Sequence, residues 1–377
     1  MRGVVSLELS LEPRTLCFHF PSAVPLAGML ALRLDSVTAR VLYPTLPACE
    51  GMKLAMLQIA RRIVVITLFA STASAGVKVE KVAWQGWSNC YLVSNGTVEL
   101  IVTSDVGPRI MRYAFVGGEN LFKEFAEQLG KSGEPKFQLR GGHRVWKAPE
   151  DPIATWAPDN VTVQVQVTSQ GLVAREPVEP LTGLQKEMEI ALAPQGSDVT
   201  VTHRIYNRGV FPLEFSVWAM SMMTPGGVAI SGFPPRGKHP EVLAATNPLV
   251  MWAYSDLSDK RWLFTKKHLG LRQDAANPEP QKLGLFNANT WAAYLVHEEL
   301  FMKRYQAEPG KTYPDFGCSF ETFTNGEFLE IETLGPLTRV EPNGSVAHVE
   351  RWSLFRNVKL ASFSDAGLDK MLSPLLH

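Results

Sequence analysis

Short runs of apolar and β-branched residues, each ended by glycine, proline or asparagine, are the feature of this sequence that most restricts its fold. The run at residues 161–167 (VTVQVQV) alternates apolar and polar side chains, which is typical of a half-buried antiparallel strand. Residues 89–94 and 98–103 flank Asn95-Gly96, a dipeptide typical of tight hairpin turns. With 26 prolines and 29 glycines along 377 residues, the pattern predicts an all-β protein.

The same strand pattern continues to the C terminus without an internal repeat or a composition break, so we predict one large β domain at residues 76–377. Residues 121–129 (LFKEFAEQL) place their apolar side chains at helical spacing and predict a helix. The Gly- and Pro-rich residues 224–248 predict a long connection, which in a compact domain is usually functional. Further strands are predicted at residues 109–115, 184–192, 199–206, 211–223, 249–254, 262–265, 283–286, 291–296 and 299–305, with four more between 313 and 355.

One segment, residues 141–160 (GGHRVWKAPEDPIATWAPDN), has neither helical nor alternating periodicity and is predicted to be a loop. Binding and catalytic residues concentrate on loops that a rigid scaffold positions. Cationic groups, carboxylates and indoles together suit a polar, ring-shaped ligand such as a sugar, while the alternative is a surface loop whose charges pair locally. The residues that make this segment a candidate saccharide site are His143, Arg144, Trp146, Lys147, Glu150, Asp151, Trp156 and Asp159.

The first 75 residues have the features of an export signal placed after an extension. From Met52, a basic stretch, an apolar stretch at residues 63–70 and Ala73-Ser74-Ala75 predict a signal peptide at residues 52–75, cleaved after Ala75. Residues 1–51 are then an upstream extension that follows from a misassigned start at Met1. A periplasmic or secreted protein is expected; the alternative is a cytosolic protein with an N-terminal extension.

The charge balance and cysteine content narrow the class of partner. The 37 basic and 37 acidic residues argue against nucleic acid as a partner, and the predicted mature chain has no membrane span. Cys90 and Cys318 both lie in apolar, strand-like runs, where free buried cysteine is common, so a disulfide between them stays open. Neither cysteine has the spacing of a metal site, and no metal is predicted.

Three separated motifs are distinctive: GGHRVWKAPE at residues 141–150, NRGVFPLEFSVWAMSMMTPGG at 207–227 and FETFTNGEFLEIETLGPL at 320–337. Together they resemble an uncharacterised bacterial family, a domain of unknown function, within the galactose mutarotase-like superfamily. The resemblance covers essentially the whole predicted mature chain. It implies a galactose mutarotase-like supersandwich of two large, curved antiparallel sheets with few short helices, and a saccharide ligand in the concave face.

The aldose 1-epimerases of that superfamily imply roles for individual residues. Glu321, on a strand before a turn, resembles their general base; His143, after two glycines and near Trp146, resembles their ring-binding histidine; Arg109, in GPRI, resembles their arginine at the start of an early strand. The acid histidine of the epimerases lies in an Asn-His-x-Tyr-type strand, which this chain lacks, since its middle region offers only His203.

Interconversion at the anomeric carbon needs an acid and a base on opposite sides of C1 and no cofactor. We assign Glu321 as the base and His143 as the acid, with Arg144 stabilising the developing alkoxide and Trp146 and Trp156 stacking on the pyranose. Further candidate ligand contacts are Arg109, Glu150, Asp159, Lys282 and Asp315. A non-catalytic saccharide-binding protein and a purely structural β-sandwich are the alternatives. His203, His268 and His348 are expected to be structural, and Glu330 and Glu332 are expected to face solvent.

Overall fold

The computed structural model describes residues 76–246 and 248–376, together with the backbone of four strands nearer the N terminus. Those four strands form an antiparallel sheet of order β1-β4-β3-β2 within a first compact unit, residues 1–74. The predicted signal peptide at residues 52–75 lies outside the described residues. The four strands are β1 (Val4–Glu8), β2 (Thr15–Phe18), β3 (Leu30–Asp35) and β4 (Thr38–Leu42).

The second compact unit spans residues 75–377, and nearly all the regular secondary structure of its described residues is β-strand. It contains two short helices, α1 (Pro314–Gly317) and α2 (Asp365–Leu372), and a 3₁₀ turn at Ser373–Leu375. Its strands are β5 (Lys78–Trp84), β6 (Trp87–Ser94), β7 (Val98–Thr103), β8 (Arg109–Phe115), β9 (His143–Ala148), β10 (Gln164–Val167), β11 (Gly171–Arg175), β12 (Leu184–Leu192), β13 (Val199–Asn207), β14 (Leu213–Met223), β15 (Val228–Gly232), β16 (Leu249–Met251), β17 (Trp262–Phe264), β18 (His268–Arg272), β19 (Gln281–Leu285), β20 (Trp291–Val296), β21 (Glu299–Tyr305), β22 (Phe320–Thr324), β23 (Leu329–Leu334), β24 (Thr338–Val340) and β25 (Ser345–Phe355).

These strands form two large antiparallel sheets, which confirms the predicted all-β fold class. The ten-stranded sheet has the order β10-β11-β12-β13-β25-β21-β20-β15-β18-β17. The eleven-stranded sheet has the order β16-β19-β22-β23-β14-β9-β8-β7-β6-β5, with β24 paired to β14 outside this path. No helix among the described residues is long and apolar enough to cross a membrane.

Sequence pattern explains which strands are central. In β13 buried and partly exposed residues alternate along the whole strand, as expected for a strand with one face on the core. In β14 every residue from Phe215 to Met223 is buried, because β14 lies between β9 and β23 and both of its faces are covered. The core between the sheets includes Tyr113, Phe122, Phe301 and Trp352, whose rings meet at tilted or edge-on angles.

The predicted helix at residues 121–129 is wrong, because the backbone of residues 122 and 124 forms β-bridges instead. Phe122 bridges Met223 and Glu124 bridges Gly141, while Lys123 N–H donates to the carbonyl of Met222 at 2.9 Å. The apolar side chains that suggested a helical face, Leu121, Phe122 and Phe125, are buried in this extended path. Tertiary pairing therefore overrides local propensity here.

Other boundaries also differ from the predictions. The first part of the predicted loop at residues 141–160 is strand β9, and the predicted long connection at 224–248 contains strand β15. The alternating run at residues 161–167 forms only the four-residue edge strand β10, with Val167 exposed. Cys90 and Cys318 are buried and free, so these two cysteines form no disulfide in the structure.

Candidate functional site

Adjacent residues of β9 point to opposite faces of the eleven-stranded sheet, and this alternation divides the candidate residues into two groups. His143 lies opposite Ser221 of β14, and its ring meets the Trp352 ring of the ten-stranded sheet, with centroids 4.7 Å apart. We call the face that carries His143, directed at the other sheet, the inner face. Arg144 lies opposite Met220 and therefore belongs to the outer face.

The two glycines before His143 are needed because of close backbone approach. Both have left-handed φ values, +90° at Gly141 and +75° at Gly142. A Cβ at Gly141 would overlap the carbonyl oxygen of Lys123, and one at Gly142 would lie 2.5 Å from the carbonyl oxygen of Ile110. The Gly-Gly pair thus lets the chain enter β9 between two neighbouring segments.

On the inner face, His143 is part of a hydrogen-bonded chain whose tautomers follow from its ends. Nδ1 of His203 lies 3.1 Å from the carbonyl oxygen of His348, so this nitrogen carries the hydrogen. Nε2 of His203 then accepts from Nε2 of His143, 2.6 Å away. The remaining nitrogen of His143, Nδ1, accepts from the hydroxyl of Ser221 at 2.9 Å.

The neighbouring Glu350 carboxylate is fully buried and has several donors. It accepts hydrogen bonds from Lys303 Nζ at 2.8 Å, from the Thr333 hydroxyl at 2.5 Å and from Trp352 Nε1 at 2.7 Å. The Thr333 oxygen in turn lies 2.7 Å from Nε2 of His348. We call these residues the inner network: His143, His203, Ser221, Lys303, Thr333, His348, Glu350 and Trp352.

Burial sets the protonation of the inner network. It lowers the pKa of His143 well below the ordinary value, that of His203 to about 4 and that of His348 to about 3. Burial alone would raise the pKa of Glu350, but Lys303 and the histidines hold it below its ordinary range. Near neutral pH the network therefore contains one ion pair and three neutral imidazoles.

His143, His203 and Glu350 also have the donor types of a metal site, with one ligand atom from each lying within 4.8 Å of the others. Sequence spacing gave no sign of this set. Each of the three residues already has hydrogen-bond partners within the protein, and the Lys303 ammonium supplies the positive charge that an ion would bring. The arrangement is accounted for as a polar network that joins the two sheets.

The outer face carries a second group of charged residues, centred on Lys282 of β19. Lys282 Nζ lies 2.7 Å from Oε2 of Glu321 and 3.0 Å from Oε2 of Glu332. Glu321 and Glu332 are paired across β22 and β23, and both side chains are fully buried. Burial raises the pKa of Glu321 well above the ordinary value, and the charges of Glu332 and Asp315 act in the same direction.

Two indole rings enclose the Lys282 ammonium, which lies 4.6 Å from the ring centroid of Trp218 and of Trp252. Trp218 Nε1 also donates to Glu332 Oε2 at 2.9 Å. Gly284, opposite Glu321 in the register, makes room for this packing. A Cβ at that position would lie 2.6 Å from Cys318 Sγ, 3.1 Å from Glu321 Cγ and 3.3 Å from the Trp252 ring.

Arg144 completes this group from β9. Its Nη2 lies 3.1 Å from Oε1 of Glu330, and its guanidinium lies over the Trp146 ring, 4.5 Å from the centroid. We call Arg144, Lys282, Glu321, Glu330 and Glu332 the outer cluster. Several of its buried atoms have no hydrogen-bond partner among the described residues: Nε and Nη1 of Arg144 and Oε1 of Glu332. The Glu321 carboxyl group has a side-chain hydrogen bond with Asp315.

Three segments around the outer cluster bring in the remaining candidates. Asp315, in the α1 turn, is close enough for its charge to raise the pKa of Glu321, and burial raises its own pKa. Glu150 accepts from Trp156 Nε1 at 2.9 Å, and Trp156 packs 5.7 Å from Trp146. Tyr254, after β16, interacts electrostatically with Lys282, and burial raises its pKa to about 12.

Arg109 and Asp159, by contrast, hold loops in place. Arg109 is fully buried, and its Nε and Nη2 lie 3.1 Å and 3.0 Å from Oδ2 of Asp159. Its Nη1 donates to the carbonyls of Leu139 at 2.6 Å and Gly141 at 3.0 Å, and its Nη2 also donates to the carbonyl of Gln138. Because all its nitrogens are used within the protein, Arg109 positions the segment that leads into β9.

The structure therefore brings together seven of the candidate site residues: Arg144, Trp146, Glu150, Trp156, Lys282, Asp315 and Glu321. It places His143 on the inner face, away from Glu321. The expectation that Glu330 and Glu332 face solvent is wrong, since both are buried and belong to the outer cluster. The Asn325-Gly326 turn could have revealed this from the sequence, because pairing of β22 with β23 across it puts Glu330 and Glu332 on the same face as Glu321.

Comparison with known proteins yields distant structural similarities. Neither a protein-family model nor a curated protein matches the chain. The Slr1438 protein from Synechocystis sp. PCC 6803 is 13% identical, with 74% of this chain and 99% of that chain covered and a TM-score of 0.46. Galactose mutarotase-like proteins from Lactobacillus casei and Clostridium acetobutylicum also match. The first is 9% identical over 71% of this chain and 100% of its own, with a TM-score of 0.46. The second is 10% identical over 74% and 99%, also with a TM-score of 0.46. Similarities of this size transfer no residue's role to this chain.

Proposed function

We propose that the outer cluster binds a neutral saccharide and that Glu321, as base, and Asp315, as acid, interconvert its anomers. The observation that carries this proposal is a set of buried polar atoms on one face that have no hydrogen-bond partner among the described residues: Arg144 Nε and Nη1 and Glu332 Oε1. Each such atom costs about 1–3 kcal/mol when it stays unpaired in a protein interior. A sugar hydroxyl both donates and accepts, so it satisfies the guanidinium and the carboxylates alike.

Charge favours a neutral sugar over an acidic one. The outer cluster and Asp315 contain four carboxyl groups against two cations, Arg144 and Lys282. A uronate, sulfate or phosphate group would add negative charge to a site that already has an excess of carboxyls, which raises the cost of burying it.

The proposed reaction requires only proton transfers. One carboxylate takes the proton of the anomeric hydroxyl while a carboxylic acid gives a proton to the ring oxygen, and the C1–O5 bond breaks. The aldehyde rotates, the ring closes on its other face, and both protons return. Burial raises the pKa of Glu321 and of Asp315, which favours carboxyl groups that hold and release a proton. Asp315 therefore takes the acid role that His143, on the inner face, cannot take.

Access to the cluster involves the segments that cover it. Arg144 and Lys282 are only 3% and 5% exposed, so a ligand reaches them when the loops that carry Trp156 and Tyr254 move apart. The side chains of Trp156 and Tyr254 border the outer cluster but are not part of either sheet.

The alternative is a saccharide-binding protein without turnover. It is favoured by the pairing of Lys282 with both Glu321 and Glu332, since an ammonium at 2.7 Å and 3.0 Å stabilises carboxylates that never exchange a proton. It is also favoured by the position of His143 on the inner face, away from these groups.

One set of NMR measurements on the full chain separates these functions. Saturation-transfer difference against glucose, galactose, mannose and xylose reports binding, and exchange spectroscopy on the same samples reports interconversion of anomers. We expect Glu321→Gln to lower the acceleration at least about 100-fold, while Glu341→Gln, an exposed glutamate paired with Arg339, leaves it unchanged. Binding without acceleration would establish the alternative, and the absence of both signals would overturn the proposal.

We also propose that the protein is exported, with Met52 as its translation start and cleavage after Ala75, and that it belongs to the uncharacterised mutarotase-like family that its three motifs resemble. Mass spectrometry of the N terminus, after expression in a bacterium and fractionation, tests the export. A periplasmic protein that begins at Gly76 is expected. An intact N terminus in the cytosolic fraction would contradict export.

A further inference from the structure

Three aromatic side chains around the outer cluster are exposed to solvent, although large aromatic side chains are normally mostly buried. Trp156 is 45% exposed, Tyr254 is 44% exposed and Phe316 is 90% exposed. They come from three separate segments: the loop after β9, the loop after β16 and the α1 turn. We call these three residues the aromatic rim.

Each rim residue connects to the outer cluster through one intermediate residue. Trp156 packs on Trp146, which carries the Arg144 guanidinium on its ring. Tyr254 meets Phe323 edge-on at 6.5 Å, and Phe323 lies opposite Lys282 in the sheet register. Phe316 follows Asp315, whose charge acts on Glu321.

The α1 turn holds Phe316 in an unfavourable backbone conformation. Asp315 and Phe316 both have left-handed φ values, 50° and 58°, a conformation that is unfavourable for a non-glycine residue. An aromatic ring that is displayed to solvent on such a turn gives the fold no burial in return. Backbone strain of this kind is typical of functional positions.

We propose that the aromatic rim forms outer subsites, so that the ligand is the end of an oligosaccharide rather than a free monosaccharide. This inference rests on the proposed saccharide function of the outer cluster. The C–H faces of a pyranose are apolar and stack on aromatic rings, while its hydroxyl groups stay hydrated at the edge. A terminal sugar bound by the outer cluster places its neighbours in the chain among Trp156, Tyr254 and Phe316.

The test compares affinities along a series of chain lengths. Isothermal titration calorimetry on the full chain uses glucose, mannose and xylose, with malto-, cello-, manno- and xylo-oligosaccharides of two to six residues. We expect at least one series in which the oligosaccharide binds about tenfold or more tightly than its monosaccharide, because each stacked ring contributes roughly threefold to tenfold. Phe316→Ala and Tyr254→Ala should each reduce that ratio.

A matched control separates stacking from general surface effects. Phe211 is an exposed phenylalanine, 74% accessible, in the turn between β13 and β14, and Phe211→Ala should leave the ratio unchanged. If monosaccharides bind as tightly as their oligosaccharides and the rim variants change nothing, the rim proposal is overturned while the saccharide function of the cluster stands. If no sugar of any length binds, the proposed function itself fails.

Discussion

The inner network makes a quantitative prediction about stability and pH. His203 and His348 have folded-state pKa values of about 4 and about 3 because they are buried, whereas the unfolded chain has ordinary histidine values near 6.5. Below pH 6.5 these two histidines bind protons in the unfolded chain but stay neutral in the folded protein. The stability due to neutral histidine is therefore complete above pH 6.5 and is lost as the pH falls from 6.5 towards 4.

The size of the loss follows from the two pKa values. Between pH 7 and pH 5, each of these histidines should lower the free energy of unfolding by about 2 kcal/mol, or about 4 kcal/mol for both. The depressed pKa values of His143 and Glu350 act in the same direction. A loss of this size is a large part of the stability of an ordinary domain.

Urea denaturation at pH 7 and pH 5 measures this loss, with His203→Asn as the perturbation. Asparagine keeps a donor for the carbonyl of His348 but does not titrate, so about 2 kcal/mol of the pH-dependent loss should disappear. His297→Asn is the matched control, because the His297 side chain is 62% exposed. Equal losses in the wild-type protein and in His203→Asn would refute the reasoning. If His203→Asn does not fold, the imidazole resonances of the wild-type protein give the same answer, since a His203 signal that titrates near pH 6.5 would contradict its burial as a neutral ring.

Three further predictions concern the two polar groups. Lys303→Met leaves the Glu350 carboxylate buried without its cation and should lower the free energy of unfolding by about 3–5 kcal/mol, whereas Lys359→Met, at an exposed position, should change it little in the same urea titration. Gly284→Ala places a methyl group 3.1 Å from Glu321 Cγ and should cost about 1–3 kcal/mol and weaken sugar binding in calorimetry; unchanged affinity would mean that the geometry around Glu321 does not govern binding. Metal analysis of the purified protein should find no stoichiometric ion, and one zinc per chain would show that the two histidines and the glutamate of the inner network are ligands instead.

Strands whose side chains alternate, or whose turns have a defined chemistry, were predictable from the sequence. The hairpin around Asn95-Gly96 and strands β12, β20 and β21 have the predicted positions, because burial on one face and turn geometry agree there. The helix prediction for residues 121–129 failed because local pattern and tertiary pairing disagree there. The helical spacing of apolar residues is real, but pairing with Met223 and Gly141 determines the backbone.

The candidate site was predictable in its residue types more than in its geometry. Glu321 and Lys282 are paired and Arg144 lies on the same face of the sheet, but these residues come from β22, β19 and β9, and only the sheet order brings these strands to one region. Glu330 and Glu332 were missed because alternating charged residues usually mark a solvated face. Here segments outside the sheet cover that face, and a local pattern carries no information about such covering segments.

The alternation of side chains along β9 explains why His143 and Arg144, which are adjacent in one motif, have different partners. A strand turns consecutive side chains to opposite faces, so His143 and Arg144 cannot both reach Glu321. His143 is used between the sheets, where its partners are His203 and Ser221 and where burial keeps it neutral. Arg144 is used on the other face, where two of its nitrogens have no hydrogen-bond partner in the part of the chain that the structure describes. A shift of one residue in the β9 register would exchange these environments, placing a permanent cation between the sheets and an imidazole beside Glu330. No side chain fits at Gly141 or Gly142, where the chain enters β9, and this opposes such a shift. The two glycines therefore help to keep His143 between the sheets and Arg144 in the outer cluster.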